Sequence, residues 1–447
     1  MKEPQEIPDE EHEQVLARVA AVDVAKASGM ACTRVPHPQR PGKRLTRVWE
    51  VDATTNSVLE MSGHLSREGV EMVTLEATSD YWRIWFYLLE AAGLNVQLVK
   101  AHDVKQAPGR PKTDKLDAVW LAKLTERGML RRSFVPPAEI RNLRDYTRLR
   151  ADLTRERTRY WQRLEKLLED ALIKVSAVAS SLGTVSARDM IEALIAGERD
   201  PQVLARLARG RMRVKHAALV EALTGRFDAH HGELARMLLD QIDALTAQVA
   251  TLTTRIEELI GAIPAAQGVD ADGTAGGVGP DPLVLPAVWR LAEIPGLTTE
   301  LACQVIGETG LDMSRFPTAA HLVSWAGLAP VANQSGPRTR KGKKGQGDSY
   351  LRGFCTQAAT GAALTDTFLG ERHRRIARKR GPGRAKVAVA RALLIIIWHL
   401  LKDPETRFTD LGPEHYASRT DKDKKTRNLI RQLNALGLDV TITPQAS

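Results

Sequence analysis

Two aspartates three residues apart, Asp114 and Asp117 in the run KTDKLDA (residues 112–118), stand where an apolar stripe of helical spacing begins at Leu116, Val119, Trp120 and Leu124. Residues i and i+3 share a helix face, so the sequence predicts both carboxylates in the first turn of one helix. Acids there have a modest use: Thr113 or Asp114 caps the helix, and the negative charge complements its dipole. They gain a second use if further carboxylates reach the same place, because clustered carboxylate oxygens bind hard divalent cations such as Mg²⁺ or Mn²⁺. Two acids qualify by their setting. Asp23 interrupts the apolar run RVAAVDV (residues 18–24), a costly position for a carboxylate, and Glu76 closes the strand-like run at residues 70–75.

The elements that carry these acids follow a readable order. Strand-like runs are expected at residues 18–24, 30–35, 45–51, 70–75 and 94–99, with helices at 57–65, at 81–92 and from Asp114 onward. The order β-β-β-α-β-α-β-α is similar to the ribonuclease H and RuvC-like resolvase fold, a mixed five-stranded sheet with helices. In that fold, acids at matching places converge on divalent metal. Without an ion, four neighbouring carboxylates would repel and some would take up protons. Two ions would stabilise the attacking and leaving oxygens of a phosphodiester displacement.

The same stretches resemble a known family, the DEDD transposases of bacterial insertion sequences (the IS-110 class). The matching segments are VDVAK (22–26), LEAT (75–78) followed by Tyr81, and GRPKTDKLD (109–117) leading into Ala118 and Leu121-Ala122. Carried across residue by residue, the resemblance implies Asp23, Glu76, Asp114 and Asp117 as catalytic metal-binding acids. One departure is visible: where the family commonly has glycine after Glu-Ala-Thr, this chain has Ser79-Asp80, and Asp80 is not taken as a ligand. A second block, SRFP (314–317) through WAGLAP (325–330), resembles the C-terminal part of the same transposases. It leads into a polar loop that begins at Asn333. A serine before glycine in such a loop ordinarily serves a turn; the family's nucleophilic serine is matched by Ser335. Ser349 and Tyr350 are rival nucleophiles, although the Arg-His-Arg-Tyr set of tyrosine recombinases is not evident. Arg338, Arg340, Lys341, Lys343, Lys344 and Arg352 are the expected nucleic-acid-binding side chains.

Charge distribution supports a polyanionic partner. The 447-residue chain carries a net charge of +10, and residues 335–386 hold fourteen Lys/Arg against three Asp/Glu, enough to account for the whole excess. Hydrophobic residues make up 43% of the chain, ordinary for a soluble protein. The most apolar run, residues 387–401, is too short to span a bilayer and contains Arg391 and His399. With an acidic, proline-containing N-terminus and three scattered cysteines that lack zinc spacing, the expectation is a cytoplasmic protein with no membrane partner.

Six segments are expected: an acidic tail (1–14), the RuvC-like metal domain (15–137), a helical or coiled-coil spacer (138–263), a Gly/Ala/Pro/Asp linker (264–286), an all-α C-terminal domain with the serine loop (287–402) and a charged tail (403–447). In the spacer, Leu238, Ile242, Leu245, Val249, Leu252, Ile256, Leu259 and Ile263 form a heptad seam. Its partner is either the helix from Ala138 in the same chain or a second copy. The His230-His231 pair reads as a surface feature without ligand partners. Around Pro295-Gly296 the sequence fits a helix-hairpin-helix turn that presents N–H groups to phosphate, or a plain interhelical turn.

The family resemblance implies cleavage and rejoining of DNA through a 5′-phosphoserine. It also implies a homo-oligomer, dimer or tetramer, whose acids and Ser335 meet in sites composed from different protomers, and a structured guide RNA that selects donor and target. Two other classes fit the residues. A junction resolvase would need only the four acids and water, and an architectural DNA-binding protein would need neither acids nor serine.

Overall fold

A computed structural model describes residues 16–77, 79–100, 114–267, 285–330, 332–335, 338–341, 347–418 and 422–441. The chain divides into two compact units, Met1–Val135 and Pro136–Ser447.

The first unit is a layered α/β domain. Its elements are β1 (Val19–Val24), β2 (Ser28–Pro36), β3 (Arg44–Asp52), α1 (Thr55–Arg67), β4 (Met72–Ala77), α2 (Trp82–Ala91), β5 (Val96–Lys100), α3 (Asp114–Glu126) and β6 (Arg132–Ser133). They form one mixed sheet in the order β3-β2-β1-β4-β5-β6. The first three strands make an antiparallel meander, β4 and β5 run parallel to β1, and β6 returns antiparallel. The sixth strand corrects the expected five. It is two residues long, Arg and Ser, too short and too polar for the alternation that marks a strand.

Alternation along the central strands divides the core in two. Ala20, Val22 and Val24 of β1, with Val73 and Leu75 of β4, pack under Val58, Met61 and Leu65 of α1 and Trp85 and Leu89 of α2. The opposite face sets Ala21, Cys32 and Val99 against Ala118, Leu121, Ala122 and Leu124 of α3. Each fully buried leucine here, Leu65, Leu75, Leu89 and Leu121, contributes about 1.5–3 kcal/mol of transfer free energy.

The second unit is built on two helices of 33 residues, α4 (Ala138–Asp170) and α9 (Ala229–Gly261). Between them lie α5 (Val175–Val178), α6 (Val185–Ile195), α7 (Pro201–Arg206) and α8 (His216–Leu223), which close a satellite core around Leu168, Met190, Leu194, Leu204 and Leu219. α4 and α9 pack together antiparallel: Arg150 Nε donates to Thr253 Oγ1 at 2.7 Å and Arg157 Nη1 to Thr246 Oγ1 at 3.4 Å. Ile242, Leu245, Val249 and Ile256 of the heptad seam are buried, so the seam is used within one chain, the first of its two readings. Pro264–Gln267, at the start of the expected linker, forms a 3₁₀ turn with Ala266 buried; residues 268–284 lie outside the described residues.

The C-terminal part continues with α10 (Ala287–Ala292), α11 (Thr299–Thr309), α12 (Ala319–Trp325), a hairpin of β7 (Ala332–Ser335) and β8 (Arg338–Lys341), then α13 (Ser349–Ala362), α14 (Phe368–Arg380), α15 (Pro382–Lys402), α16 (His415–Ser418) and α17 (Lys422–Ala435). The hairpin corrects the all-α expectation for this region. Its strands, ANQS and RTRK, carry no apolar alternation, so the sequence gives a loop signal. The apolar run at 387–401 is the core helix α15, with Val389, Leu393, Leu394 and Ile397 fully buried. Among the described residues no helix is long and apolar enough to cross a membrane.

The Pro295-Gly296 turn joins α10 to α11. Gly296 has φ +85°, and a Cβ there would lie 2.3 Å from both Ala358 O and Ala362 N of α13. The N–H groups of Ile294 and Leu297 bond Leu291 O and Ile294 O. Glycine is therefore required here for a close approach between backbones.

Candidate active site

β1 and β4 run parallel, in register from Val19 opposite Met72 to Val22 opposite Leu75. One residue further on, Asp23 and Glu76 stand level at the C-terminal ends of adjacent strands. Asp23 follows Ala21 by two and Glu76 follows Thr74 by two, which puts both acids on the sheet face covered by α3. Glu76 is only 6% exposed and Asp23 is partly buried.

α3 runs back across that face. Its C-terminal end is pinned by Thr125, whose hydroxyl shares a 2.7 Å hydrogen bond with that of Thr74 on β4. Glu126 adds further anchors: its carboxylate pairs with Arg34 at 2.8 Å and Arg44 at 2.9 Å, and its carbonyl accepts from Leu16 N–H at 3.0 Å. Leu16 leads into the start of β1, so the N-terminal end of α3 is directed toward the strand ends that carry Asp23 and Glu76. Asp114 opens α3 one turn before the buried Ala118, and Asp117 lies one turn before the buried Leu121. Asp117 thereby extends the sheet-facing side of the helix.

Asp23 and Glu76 at the strand ends and Asp117 in the first turn of α3 belong to one end of one domain. Their donors are all carboxylate oxygens and one acid is buried, a set that fits a hard divalent cation. The extra acid, Asp80, is exposed and pairs with Arg83 at 3.2 Å. Ser79, where the resembled family has glycine, has φ +48°, the left-handed region that glycine enters without steric cost.

In the second unit, β7 and β8 pair antiparallel with Ser335 opposite Arg338, Gln334 opposite Thr339 and Asn333 opposite Arg340. Lys343 and Lys344 fall outside the described residues. Arg352 lies in the first turn of α13, partly buried.

The rival nucleophiles occupy different settings. Ser349 is exposed at the start of α13. The hydroxyl of Tyr350 donates to Asp152 Oδ2 at 2.8 Å, and its ring lies between the guanidinium groups of Arg148 (4.7 Å) and Arg155 (5.0 Å). Burial, reinforced by the Asp152 hydrogen bond and charge, pushes the phenol above its ordinary pKa, which opposes formation of a phenolate nucleophile.

His231 departs from the expected surface reading. It is 4% exposed, its Nδ1 accepts from Asp228 N–H at 3.1 Å, and its Nε2 lies 3.3 Å from Asp170 Oδ2. With His230 and Asp170 it forms a group of potential metal donors. An accepting Nδ1 leaves the proton on Nε2, the tautomer that holds Asp170 and caps α9 rather than one that offers Nε2 to a metal. The sequence signal was the Asp228–His231 spacing at a helix start.

Comparison with known proteins fits this layout. Residues 20–173, which include Asp23, Glu76, Asp114 and Asp117, match the IS110-type DEDD family model described as a transposase. Residues 289–398, which include the hairpin, match the Transposase IS116/IS110/IS902 family. The two matches, one over the sheet domain and the first long helix and one over the C-terminal helical region, together define a transposase. Among curated proteins, a probable family 20 transposase of Pseudomonas aeruginosa is 24% identical over 63% of this chain and 68% of its own. A 44.8 kDa protein of insertion element IS116 from Streptomyces clavuligerus is 26% identical over 73% of this chain and 81% of its own. Among solved structures, that of Thermus thermophilus RuvC covers 26% of this chain and 99% of its own at 13% identity, with a TM-score of 0.21. The chain belongs to the IS110 family of insertion-sequence transposases. Such a transposase acts on DNA, cutting and rejoining it, and the DEDD family implies dependence on a divalent metal.

Proposed function

We propose that this transposase cuts and rejoins element-end and target DNA through a 5′-phosphoserine on Ser335. The observation that carries the metal half of this reading is the level placement of Asp23 and Glu76 on adjacent parallel strands, under the helix that begins with Asp114 and Asp117. These four acids would hold Mg²⁺ or Mn²⁺, which when bound supplies charge stabilisation at phosphate oxygens. Ser335 Oγ attacks the phosphorus, its proton is released, and the bond to the 3′ oxygen breaks, leaving a free 3′-hydroxyl. In the rejoining step a 3′-hydroxyl attacks the phosphoserine and returns the serine hydroxyl. Arg338 and Arg340, on the strand paired with that of Ser335, offset the charge that develops on the phosphate. Arg338, Arg340, Lys341, Lys343, Lys344 and Arg352 bind the nucleic-acid backbone. A structured RNA encoded by the element guides donor and target choice, and the acids and serine of one reaction come from different protomers of a dimer or tetramer.

The test is denaturing-gel capture of a protein–DNA adduct on element-end DNA, with and without Mg²⁺ and candidate RNA. A metal-dependent adduct is expected from the wild type and none from Ser335→Ala. Cleavage without an adduct that persists in Ser335→Ala would instead assign a water-using resolvase.

A further inference from the structure

The chain on either side of the β7–β8 pair, at Gly327 and at Gly347, is held together by backbone packing and by charge. On one side, α12 ends at Trp325 and the chain turns through Gly327 at φ +69°. On the other it returns at Gly347, where a Cβ would lie 2.1 Å from Gly327 N and 2.3 Å from Ala326 C. The N–H of Asp348 donates to Trp325 O at 3.1 Å. The two ends of the excursion between Gly327 and Gly347 therefore meet backbone to backbone.

Asp348 also has two side-chain partners. Oδ1 accepts from Leu351 N–H at 2.7 Å and caps α13, while Oδ2 accepts from Arg148 Nη2 of α4 at 3.0 Å. Arg148 meanwhile forms a two-pronged pair with Glu308 of α11 at 2.7 and 2.8 Å. Glu308 is fully buried and lies 3.2 Å from Arg144. Capping α13 needs no arginine, and a buried ion network is seldom more stabilising than apolar residues of the same volume. What such a network supplies is fixed direction: the planar, two-pronged pair with Glu308 orients Arg148 between α4 and α11, and the oriented guanidinium holds Asp348 by one further bond.

We propose that Asp348, held by Arg148, is a positioning residue for Ser335, setting the bearing of the hairpin so that its hydroxyl meets the phosphate. This rests on the reading of Ser335 as nucleophile. Asn and Ser at position 348 keep a helix-capping side chain but lose the charged pair, so they separate capping from positioning.

The experiment uses the full chain with element-end DNA. Asp348→Asn and Asp348→Ser are expected to slow single-turnover adduct formation about tenfold to a hundredfold, the scale of a misplacement near 1 Å, with DNA affinity and thermal midpoint close to wild type. Hydrogen exchange at residues 332–341 should quicken in both variants while exchange in the first unit stays unchanged. An Arg148→Gln/Asp348→Asn double variant should be no slower than the worse single variant. Wild-type adduct rate and hairpin exchange in Asp348→Asn, with the adduct still dependent on Ser335, would overturn the positioning role alone. An adduct that survives Ser335→Ala would instead overturn the nucleophile on which it rests.

Discussion

Thr125 of α3 and Thr74 of β4 share a 2.7 Å hydrogen bond inside the helix–sheet layer, each hydroxyl on a side chain no more than 1% exposed. Gln97 donates to the same Thr74 oxygen at 2.7 Å, and Thr125 donates to Leu121 O at 2.8 Å. This contact fixes how far α3 slides along the sheet, and with it the approach of Asp114 and Asp117 to Asp23 and Glu76. Thr125→Val keeps the shape and removes the hydroxyl. It should cost about 1–2 kcal/mol in denaturant unfolding and weaken divalent-ion affinity about tenfold or more; unchanged affinity would show that α3 is positioned by other contacts.

If the four acids share an ion, ion binding and folding stability become one measurement. At a Mg²⁺ or Mn²⁺ concentration about 100 times Kd, the wild type should gain about 2.7 kcal/mol. Asp23→Asn and Glu76→Gln should remove most of that gain. Equal ion-induced shifts in wild type and both variants would dismiss these acids as ligands.

Backbone conformation separates three positions that the sequence alone treats alike. Ser79→Gly should stabilise the protein by about 0.5–1 kcal/mol by relieving its left-handed conformation. Gly296→Ala should destabilise by more than about 3 kcal/mol, since the added methyl group meets the α13 backbone. Gly381→Ala should cost about 1–3 kcal/mol, because φ +82° with ψ 159° is a conformation nearly confined to glycine although nothing lies within 4 Å. Thermal unfolding of the three variants checks the ranking.

Burial pushes the thiols of Cys32 and Cys355 up to about 12 and that of Cys303 to about 11, from an ordinary 9.0. Unfolded thiols ionise near 9 while the native ones stay neutral. Their contribution to stability is complete below pH 9 and is lost as pH rises toward 11–12. Denaturant midpoints should fall steeply above pH 9, each thiol adding about 1.4 kcal/mol per pH unit, and Cys355→Ala should flatten the slope. The native thiols should also resist alkylation near neutral pH.

If the basic C-terminal region makes about six to ten phosphate contacts, DNA affinity should fall about 10³- to 10⁵-fold between 50 and 200 mM salt. Arg338→Ala and Arg340→Ala should each lower the log–log salt slope by about 1. A filter-binding titration series reads both, and a flat salt response would count against phosphate binding there.

The first unit was legible because its strands are apolar runs and its acids break them. β1 to β5 begin and end within about two residues of the periodic signals, and Asp23 stands out as a charge inside VAAVDV. Register was not legible: that Asp23 is level with Glu76 depends on β1 lying beside β4, a pairing between distant segments. The serine hairpin escaped because RTRK has no face to bury, and the partner of the α9 seam because heptads specify a groove but not its owner. Glu308 was invisible for another reason. In sequence, Gly307-Glu308-Thr309-Gly310 resembles an exposed helix end, whereas α11 is buried throughout Leu301–Thr309 and needs Arg144 and Arg148 from 160 positions away.

The paired helices α4 and α9 also have a mechanical consequence. Each is 33 residues long, a stiff rod of about 50 Å, and Arg148 grips the hairpin base about 30 Å along α4 from Leu168 in the satellite core. A tilt of the rod by about 10° about Arg148 would sweep Leu168 through about 5 Å. Whatever binds the satellite helices would therefore bear, through that arm, on Arg148 and its partners Glu308 and Asp348.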